Sequence, residues 1–99
     1  MTYTVATQGT DAEGRTLHAI MTAPAAPEDT ARLVSPGWTD EEAARGLAAL
    51  LTHTGGACYD CAHPATHYYL HVDGRRYPLC ERHVYDTRRW EPDARIAAL

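Results

Sequence analysis

The chain has 99 residues and a formal net charge of −4, with 44% hydrophobic and 22% charged residues. This length suits one small domain, and the acidic balance argues against a general polyanion binder. No apolar run reaches the roughly 20 residues of a membrane span. The N-terminus also lacks the basic and apolar segments of a signal peptide, so we expect a soluble, cytoplasmic protein.

Three residue types are absent, namely Lys, Asn and Phe, and all nine basic residues are Arg. The codons of the missing residues are rich in A and T. The gap therefore predicts a GC-rich genome, such as that of an actinobacterium or a phage of one. The absence of Asn also excludes any mechanism that needs a catalytic Asn.

Charge divides the chain near Gly55-Gly56. Residues 1–54 carry three arginines and seven acidic residues, whereas residues 55–99 carry six of each. We predict an acidic N-terminal segment at 1–54 and a second segment at 55–99, packed together as one compact domain. The only compositionally biased stretch is Ala23–Pro27, which we predict to be a loop.

The N-terminal segment begins with two strand-like patterns. Residues 2–7 alternate as a strand does, residues 8–14 form a polar turn, and residues 15–22 read as the return strand of a hairpin. A short third strand is predicted at 30–34, and Ser35-Pro36-Gly37 should break the pattern.

A helix follows, with Thr39 as the predicted N-cap and Glu42 completing a capping box. Gly55-Gly56 should end it. One face of the helix is apolar and carries Ala43, Leu47, Leu50 and Leu51. We expect this face to pack on its own domain, and the alternative is a partner-binding helix.

The three cysteines and a histidine form two close pairs, Cys58-x2-Cys61 and Cys80-x2-His83, which are eighteen residues apart. Zn²⁺ prefers four tetrahedral nitrogen or sulfur ligands, and this spacing is typical of zinc sites. We predict one structural Zn²⁺ per chain in a reducing compartment. His63 and His67 are alternatives for the fourth ligand, although the helical position of His83 beside Cys80 favours His83.

The residues between the two pairs predict a β-hairpin. Residues 66–72 read as a strand, Asp73-Gly74 as a two-residue turn, and residues 75–79 as the return strand. Pro78 cannot donate a backbone hydrogen bond, so the return strand should lie at a sheet edge. A helix should then run from Cys80 to about Trp90, before Pro92.

A two-residue turn at Asp73-Gly74 would fix the register of the hairpin and the face on which each side chain lies. The predicted core face carries Tyr68, Leu70, Val72, Tyr77 and Leu79. The opposite face carries His67, Tyr69, His71, Arg76 and Pro78. Together with Arg88 and Arg89 in the last helix, this second face is a candidate partner-binding surface that could stack on bases or contact a protein.

The succession of a Cys58–Cys61 knuckle, a hairpin around Asp73-Gly74 and a helix opening on Cys80-Glu81-Arg82-His83 resembles a treble-clef zinc finger. The resemblance covers residues 58–90 and implies zinc binding and a local fold. It does not imply one function, because treble clefs serve several. A treble-clef nuclease would need a His-Asn-His type of site, which a chain without Asn cannot supply.

These observations predict a small, zinc-stabilised α+β domain without catalytic activity. Four protein ligands would close the zinc site, and the cysteines would leave no free thiol nucleophile. The only serine, Ser35, has no evident base beside it. We therefore expect a protein–protein interaction adaptor or regulator. The alternative is a nucleic-acid-binding zinc finger that acts in transcription regulation.

Overall fold

The computed structural model describes residues 2–24 and 30–99. Within them the chain forms two three-stranded antiparallel sheets and two helices, an α+β fold as expected. The elements are β1 (Thr2–Thr10), β2 (Thr16–Ala23), β3 (Leu33–Trp38), α1 (Glu41–Thr54), β4 (His67–Leu70), β5 (Arg76–Leu79), α2 (Glu81–Trp90) and β6 (Arg95–Ala98). Residues 25–27 of the predicted loop lie outside the described residues.

The N-terminal sheet has the order β1-β2-β3. The predicted hairpin is present, although β1 continues to Thr10. The third strand begins at Leu33 and runs through Ser35-Pro36-Gly37, so the predicted break at these residues is wrong. Pro36 is tolerated because β3 is an edge strand, where a missing backbone N–H costs no ladder hydrogen bond.

The N-cap of helix α1 lies one residue after the predicted N-cap, Thr39. It is Asp40, whose carboxylate accepts a hydrogen bond of 3.1 Å from the backbone N–H of Ala43. The prediction of Thr39 is therefore wrong, since the Asp40 side chain occupies the position from which it can reach that donor. Gly55 ends the helix as predicted, in the left-handed conformation with φ of 66°.

The larger core lies between α1 and the N-terminal sheet. The buried side chains of α1 are Ala44, Leu47, Ala48 and Leu51, and they cluster with Ile20 of β2. Tyr68 of β4 and the C-terminal Leu99 also pack against this core, so α1 contacts both halves of the chain. Leu50, predicted on the apolar face, is only half-buried.

The C-terminal sheet has the order β5-β4-β6. Strand β5, which contains Pro78, lies at an edge as predicted. Strand β6 was not predicted, and it pairs with β4 through opposite residues such as Tyr69 and Ile96.

The hairpin between β4 and β5 has a three-residue loop, so the predicted two-residue turn is wrong. The backbone N–H of His71 donates to the carbonyl of Arg75 at 2.9 Å, which leaves residues 72–74 in the loop. The Asp73 carboxylate accepts a hydrogen bond of 2.8 Å from the Arg75 N–H, and Gly74 takes a left-handed φ of 86°. This is the usual arrangement of a three-residue hairpin loop.

The longer loop shifts the register by one residue and changes which side chains share a face. Tyr69 lies opposite Tyr77, and Tyr68 lies opposite Pro78. One face of the hairpin is therefore turned towards α2. It carries His67, Tyr69, His71, Tyr77 and Leu79.

The other face of the hairpin carries Tyr68, Leu70, Arg76 and Pro78. The predicted partner-binding face is therefore wrong in two members, Arg76 and Pro78. Val72 is exposed at the loop and takes no part in the core.

Candidate metal centre

The first pair of cysteines lies in a tight loop that closes between Ala57 and Pro64. The N–H of Cys58 donates to the carbonyl of His63 at 2.8 Å, and the N–H of Tyr59 donates to the carbonyl of Pro78 at the same distance. These bonds join the loop to itself and to β5. They bring the two thiols of the loop to the end of the strand that leads into α2.

The second pair lies at the beginning of α2. Cys80 is the N-cap residue in an extended conformation, and its carbonyl accepts the first helical hydrogen bond from Val84 at 3.0 Å. His83 is in the first turn of the helix, three residues later. An N-cap side chain and a side chain in the first turn lie on the same side of the helix end, so the thiol and the imidazole converge.

The four side chains form one cluster, which we call the Cys3His cluster. Its ligand atoms come from Cys58, Cys61, Cys80 and His83 and all lie within 4.8 Å of one another. The Nδ1 atom of His83 is 3.3, 3.5 and 3.1 Å from the Sγ atoms of Cys58, Cys61 and Cys80, respectively. The Sγ atoms of Cys61 and Cys80 are 3.6 Å apart.

These separations suit a tetrahedral metal ion. Bonds of about 2.3 Å to sulfur and about 2.0 Å to nitrogen put the ligand atoms of a tetrahedral zinc site about 3.5–3.8 Å apart. The four distances given above, 3.1–3.6 Å, are close to these values, and the donor atoms are sulfur and nitrogen. The four residues could therefore bind a metal ion, which is consistent with a zinc-binding site.

The cluster is largely shielded from solvent. Cys58 and Cys80 are only 2% and 3% exposed. Desolvation disfavours the thiolate of Cys80. Hydrogen bonds from the backbone and ring of His83 and from the other two thiols together outweigh it and lower the pKa of Cys80 to about 7. The backbone N–H of His63 favours the thiolate of Cys61, yet desolvation and the neighbouring thiols raise the pKa of Cys61.

The two alternative histidines have other surroundings. His63 is exposed, and its Nδ1 atom lies 3.4 Å from Cys61 Sγ. His67 lies in β4, where its Nδ1 atom is 2.8 Å from the hydroxyl of Thr66. The cluster that includes all three thiols contains His83 and neither alternative.

The residues predicted to bind a partner do not form one surface. Tyr69 and His71 lie on the α2 side of the C-terminal sheet, and the Tyr69 hydroxyl donates to Glu91 at 2.8 Å. Arg76 lies on the opposite face, with its guanidinium 5.5 Å from the ring centroid of Trp38. Arg88 and Arg89 are exposed in the last turn of α2, where positive charge is favourable to the helix dipole.

Two tyrosines next to the metal centre were missed from the sequence. Tyr59 and Tyr77 pack edge to face with their ring centroids 4.8 Å apart. The sequence places Tyr77 on the core face only if the hairpin has a two-residue loop. A three-residue loop at Val72-Asp73-Gly74 places Tyr77 opposite Tyr69.

No protein family, curated protein or solved structure matches this chain. Within the described ranges, no helix is long and apolar enough to cross a membrane. By its fold and its site, the chain is a small α+β protein with a Cys3His cluster that could bind a metal ion.

Proposed function

We propose that the protein is a small, non-catalytic zinc-binding protein in which one Zn²⁺ has a structural role. The observation that carries the proposal is the closed set of four protein ligands in the Cys3His cluster. A catalytic zinc keeps a coordination position open for water or substrate, whereas four protein ligands complete the tetrahedron. The ion would thus join the cysteine loop to the beginning of α2.

The donor atoms support zinc over other common ions. Three thiols and an imidazole suit Zn²⁺, while Mg²⁺ and Ca²⁺ prefer oxygen ligands. The hydrogen bonds from the backbone of His63 to Cys61 and from the backbone of His83 to Cys80 would stabilise thiolates bound to an ion.

The order of elements around the cluster supports a treble-clef arrangement. A cysteine loop precedes the β4–β5 hairpin, and α2 carries the second ligand pair in its first turn. Strand β6 then adds a third strand beside β4. We infer a treble-clef zinc finger at residues 58–90 with the N-terminal sheet and α1 packed against it.

A lack of catalytic activity is supported by the surroundings of Ser35, the single serine of the sequence. Ser35 is buried, and its hydroxyl accepts a hydrogen bond of 2.9 Å from the indole N–H of Trp38. This contact fixes the serine inside the fold, and the bond to an indole donor does not activate a hydroxyl as a general base would.

We infer that the protein acts as a protein–protein interaction adaptor or regulator in the cytoplasm. The C-terminal half exposes large apolar side chains that its own core does not use, and Trp90 is 82% exposed at the end of α2. Tyr85 is exposed on the same helix. Trp and Tyr are enriched among the residues that contribute most to protein interfaces.

Nucleic acid is the second candidate partner, because α2 also exposes Arg82, Arg88 and Arg89. Within the described residues, none of these arginines forms an ion pair. Contacts between arginine and phosphate release counterions, so such binding would weaken steeply with salt. The acidic residues on the same helix, Glu81 and Asp86, would oppose it.

Binding measurements on the full chain distinguish the two candidates. We expect no appreciable binding of DNA or RNA near physiological salt, and we expect nuclease treatment not to affect recovery of a protein partner from the native host.

The double variant Arg88→Ala/Arg89→Ala should leave the recovery of the protein partner unchanged. Arg15→Ala/Arg32→Ala removes the same charge from the N-terminal half and serves as control. Sub-micromolar, salt-sensitive nucleic-acid binding that only Arg88→Ala/Arg89→Ala abolishes would contradict the adaptor proposal.

A further inference from the structure

A cleft of about 300 Å³ opens on the α2 side of the C-terminal sheet. It lies between the cysteine loop, the β4–β5 hairpin and the end of α2. Four of its lining residues have aromatic rings, and we call it the aromatic cleft. These residues are Tyr59, Tyr69, His71 and Tyr77.

Successive rings of the aromatic cleft are steeply inclined to one another. The Tyr59 and Tyr77 rings meet at 67°, and the His71 and Tyr77 rings meet at 88° with centroids 5.8 Å apart. Tyr69 and His71 meet at 73° with centroids 5.9 Å apart. Rings in this arrangement present electron-rich faces in more than one direction around a small volume.

The charge of the aromatic cleft is negative. Asp60 and Glu91 line it, and no arginine among the described residues does. Glu91 accepts the hydroxyl proton of Tyr69 in a bond of 2.8 Å, and Asp73 accepts that of Tyr77 at the same distance. These hydrogen bonds to carboxylates raise the pKa of both tyrosines, so their hydroxyl groups stay neutral.

We propose that the aromatic cleft binds an alkylammonium group, namely the side chain of a lysine or methylated lysine on a protein partner. Aromatic faces attract such cations, and the carboxylates of Asp60 and Glu91 add charge complementarity. This inference rests on the proposed adaptor function and specifies the chemistry that the partner presents.

The openness of the site favours a cation that belongs to a larger molecule. Tyr59 is 48% exposed, and His71 is also exposed. A free small ligand is usually enclosed over most of its surface. Here only the head group would be covered, while the rest of the side chain extends to the partner.

The cysteine loop contributes residues to both the metal centre and the aromatic cleft. Tyr59 and Asp60 lie between the ligands Cys58 and Cys61, and the N–H of Tyr59 donates to the carbonyl of Pro78. An ion in the Cys3His cluster would therefore hold one ring and one carboxylate of the cleft in place.

Titration of the zinc-loaded full chain with choline tests the proposal. The ring signals of the cleft tyrosines and His71 are followed by NMR, and 3,3-dimethylbutan-1-ol, which has the same shape without the charge, is the matched ligand control. We expect saturable shifts with choline and much weaker ones with the alcohol. A short peptide with one central trimethyl-lysine or lysine should compete with choline, and its norleucine counterpart should not.

Variants of the cleft provide the second measurement. Tyr59→Leu removes one ring, and Glu91→Gln removes one charge while keeping an acceptor for Tyr69. Each should weaken choline binding by about two- to fivefold, in line with the energies of cation–aromatic contacts at exposed sites. Glu81→Gln changes an exposed carboxylate of α2 outside the cleft and should have no effect on choline binding. Unchanged zinc content shows that each variant is folded.

Several results would overturn the inference. Equal binding of choline and the neutral alcohol would make the site an apolar cleft without cation selectivity, and no binding of either would exclude it as a cation site. Binding of choline without binding of the lysine peptides would assign the cleft to a free small cation. If Tyr59→Leu and Glu91→Gln still recover a protein partner, the inference fails while the adaptor function stands. If cleft binding is as expected but no protein partner is recovered, the adaptor function fails instead.

Discussion

The two halves of the molecule bury their side chains in different ways. In the N-terminal half, Ile20, Leu47 and Leu51 are almost completely buried between a sheet and a helix. The buried cluster of the C-terminal half consists of Cys58, Leu79, Cys80 and Val84, so two of its four members belong to the Cys3His cluster. Apolar packing thus accounts for the first half. The second half adds Tyr68 and Leu99 to that core, but half of its own buried cluster consists of proposed metal ligands.

This difference has an energetic consequence. Full burial of one large aliphatic side chain is worth about 1.5–3 kcal/mol. Structural zinc contributes about 10–16 kcal/mol of apparent binding free energy in finger peptides. A small domain has a total stability of only about 5–15 kcal/mol. The C-terminal half should therefore unfold without its ion, while α1 and the N-terminal sheet retain their own core.

Metal removal has the largest expected effect. A strong chelator should unfold residues 58–90, because the thiols and the imidazole would lose the ion that joins them. Hydrogen exchange followed by mass spectrometry should show loss of protection in α2 and the β4–β5 hairpin, with protection in α1 lost to a smaller extent. Readdition of Zn²⁺ should restore the protection. Equal protection with and without chelator would argue against a structural metal.

The histidine ligand gives the next largest effect. His83→Ala should weaken zinc binding far more than His63→Ala, because the Nδ1 atom of His83 lies within 3.5 Å of all three sulfurs. The matched variant His67→Ala should behave like His63→Ala. Competition with a colorimetric zinc chelator measures the three affinities. If His63→Ala proved to be the damaging change, the site would close within the cysteine loop.

Core truncation tests the apolar half. Leu47→Ala should destabilise the protein by about 2–5 kcal/mol, because it leaves a cavity beside Ile20. Leu50→Ala is the matched control on the same helix, and its cost should be smaller because Leu50 is only half-buried. Chemical denaturation monitored by circular dichroism gives both values. Equal costs would mean that the apolar face predicted from the sequence, and not the observed one, is correct.

The helix cap gives the smallest effect. Asp40→Ala should cost about 1 kcal/mol, since the N–H of Ala43 loses its partner. Thr39→Ala should cost almost nothing. Thermal denaturation of the two variants decides between the observed cap and the capping box that the sequence suggested, and a larger loss with Thr39→Ala would favour the latter.

Local patterns were sufficient to predict the cysteine loop, a hairpin and the helix that follows it. The spacing of Cys58 with Cys61 and of Cys80 with His83 predicted that the two pairs lie close together in the fold. The end of α1 at Gly55 and the edge position of Pro78 were also predicted, because each follows from the backbone chemistry of one residue.

The remaining errors depend on interactions that the sequence alone does not specify. The hairpin loop gained one residue because the Asp73 side chain bonds to the Arg75 N–H, and that single residue moved Tyr77 to the other face. Strand β6 is four residues long and forms only because β4 offers it an edge. The continuation of β3 through Pro36 likewise depends on its position at the edge of the sheet.

Native mass spectrometry of the purified full chain tests the central claim most directly, namely that one Zn²⁺ at the Cys3His cluster holds the C-terminal half. We predict a mass with one zinc per chain, and we predict that Cys80→Ala removes the zinc while the exposed-site variant Glu81→Gln keeps it. A folded protein that carries no metal, with the dispersed NMR spectrum of an intact C-terminal sheet, would contradict the account.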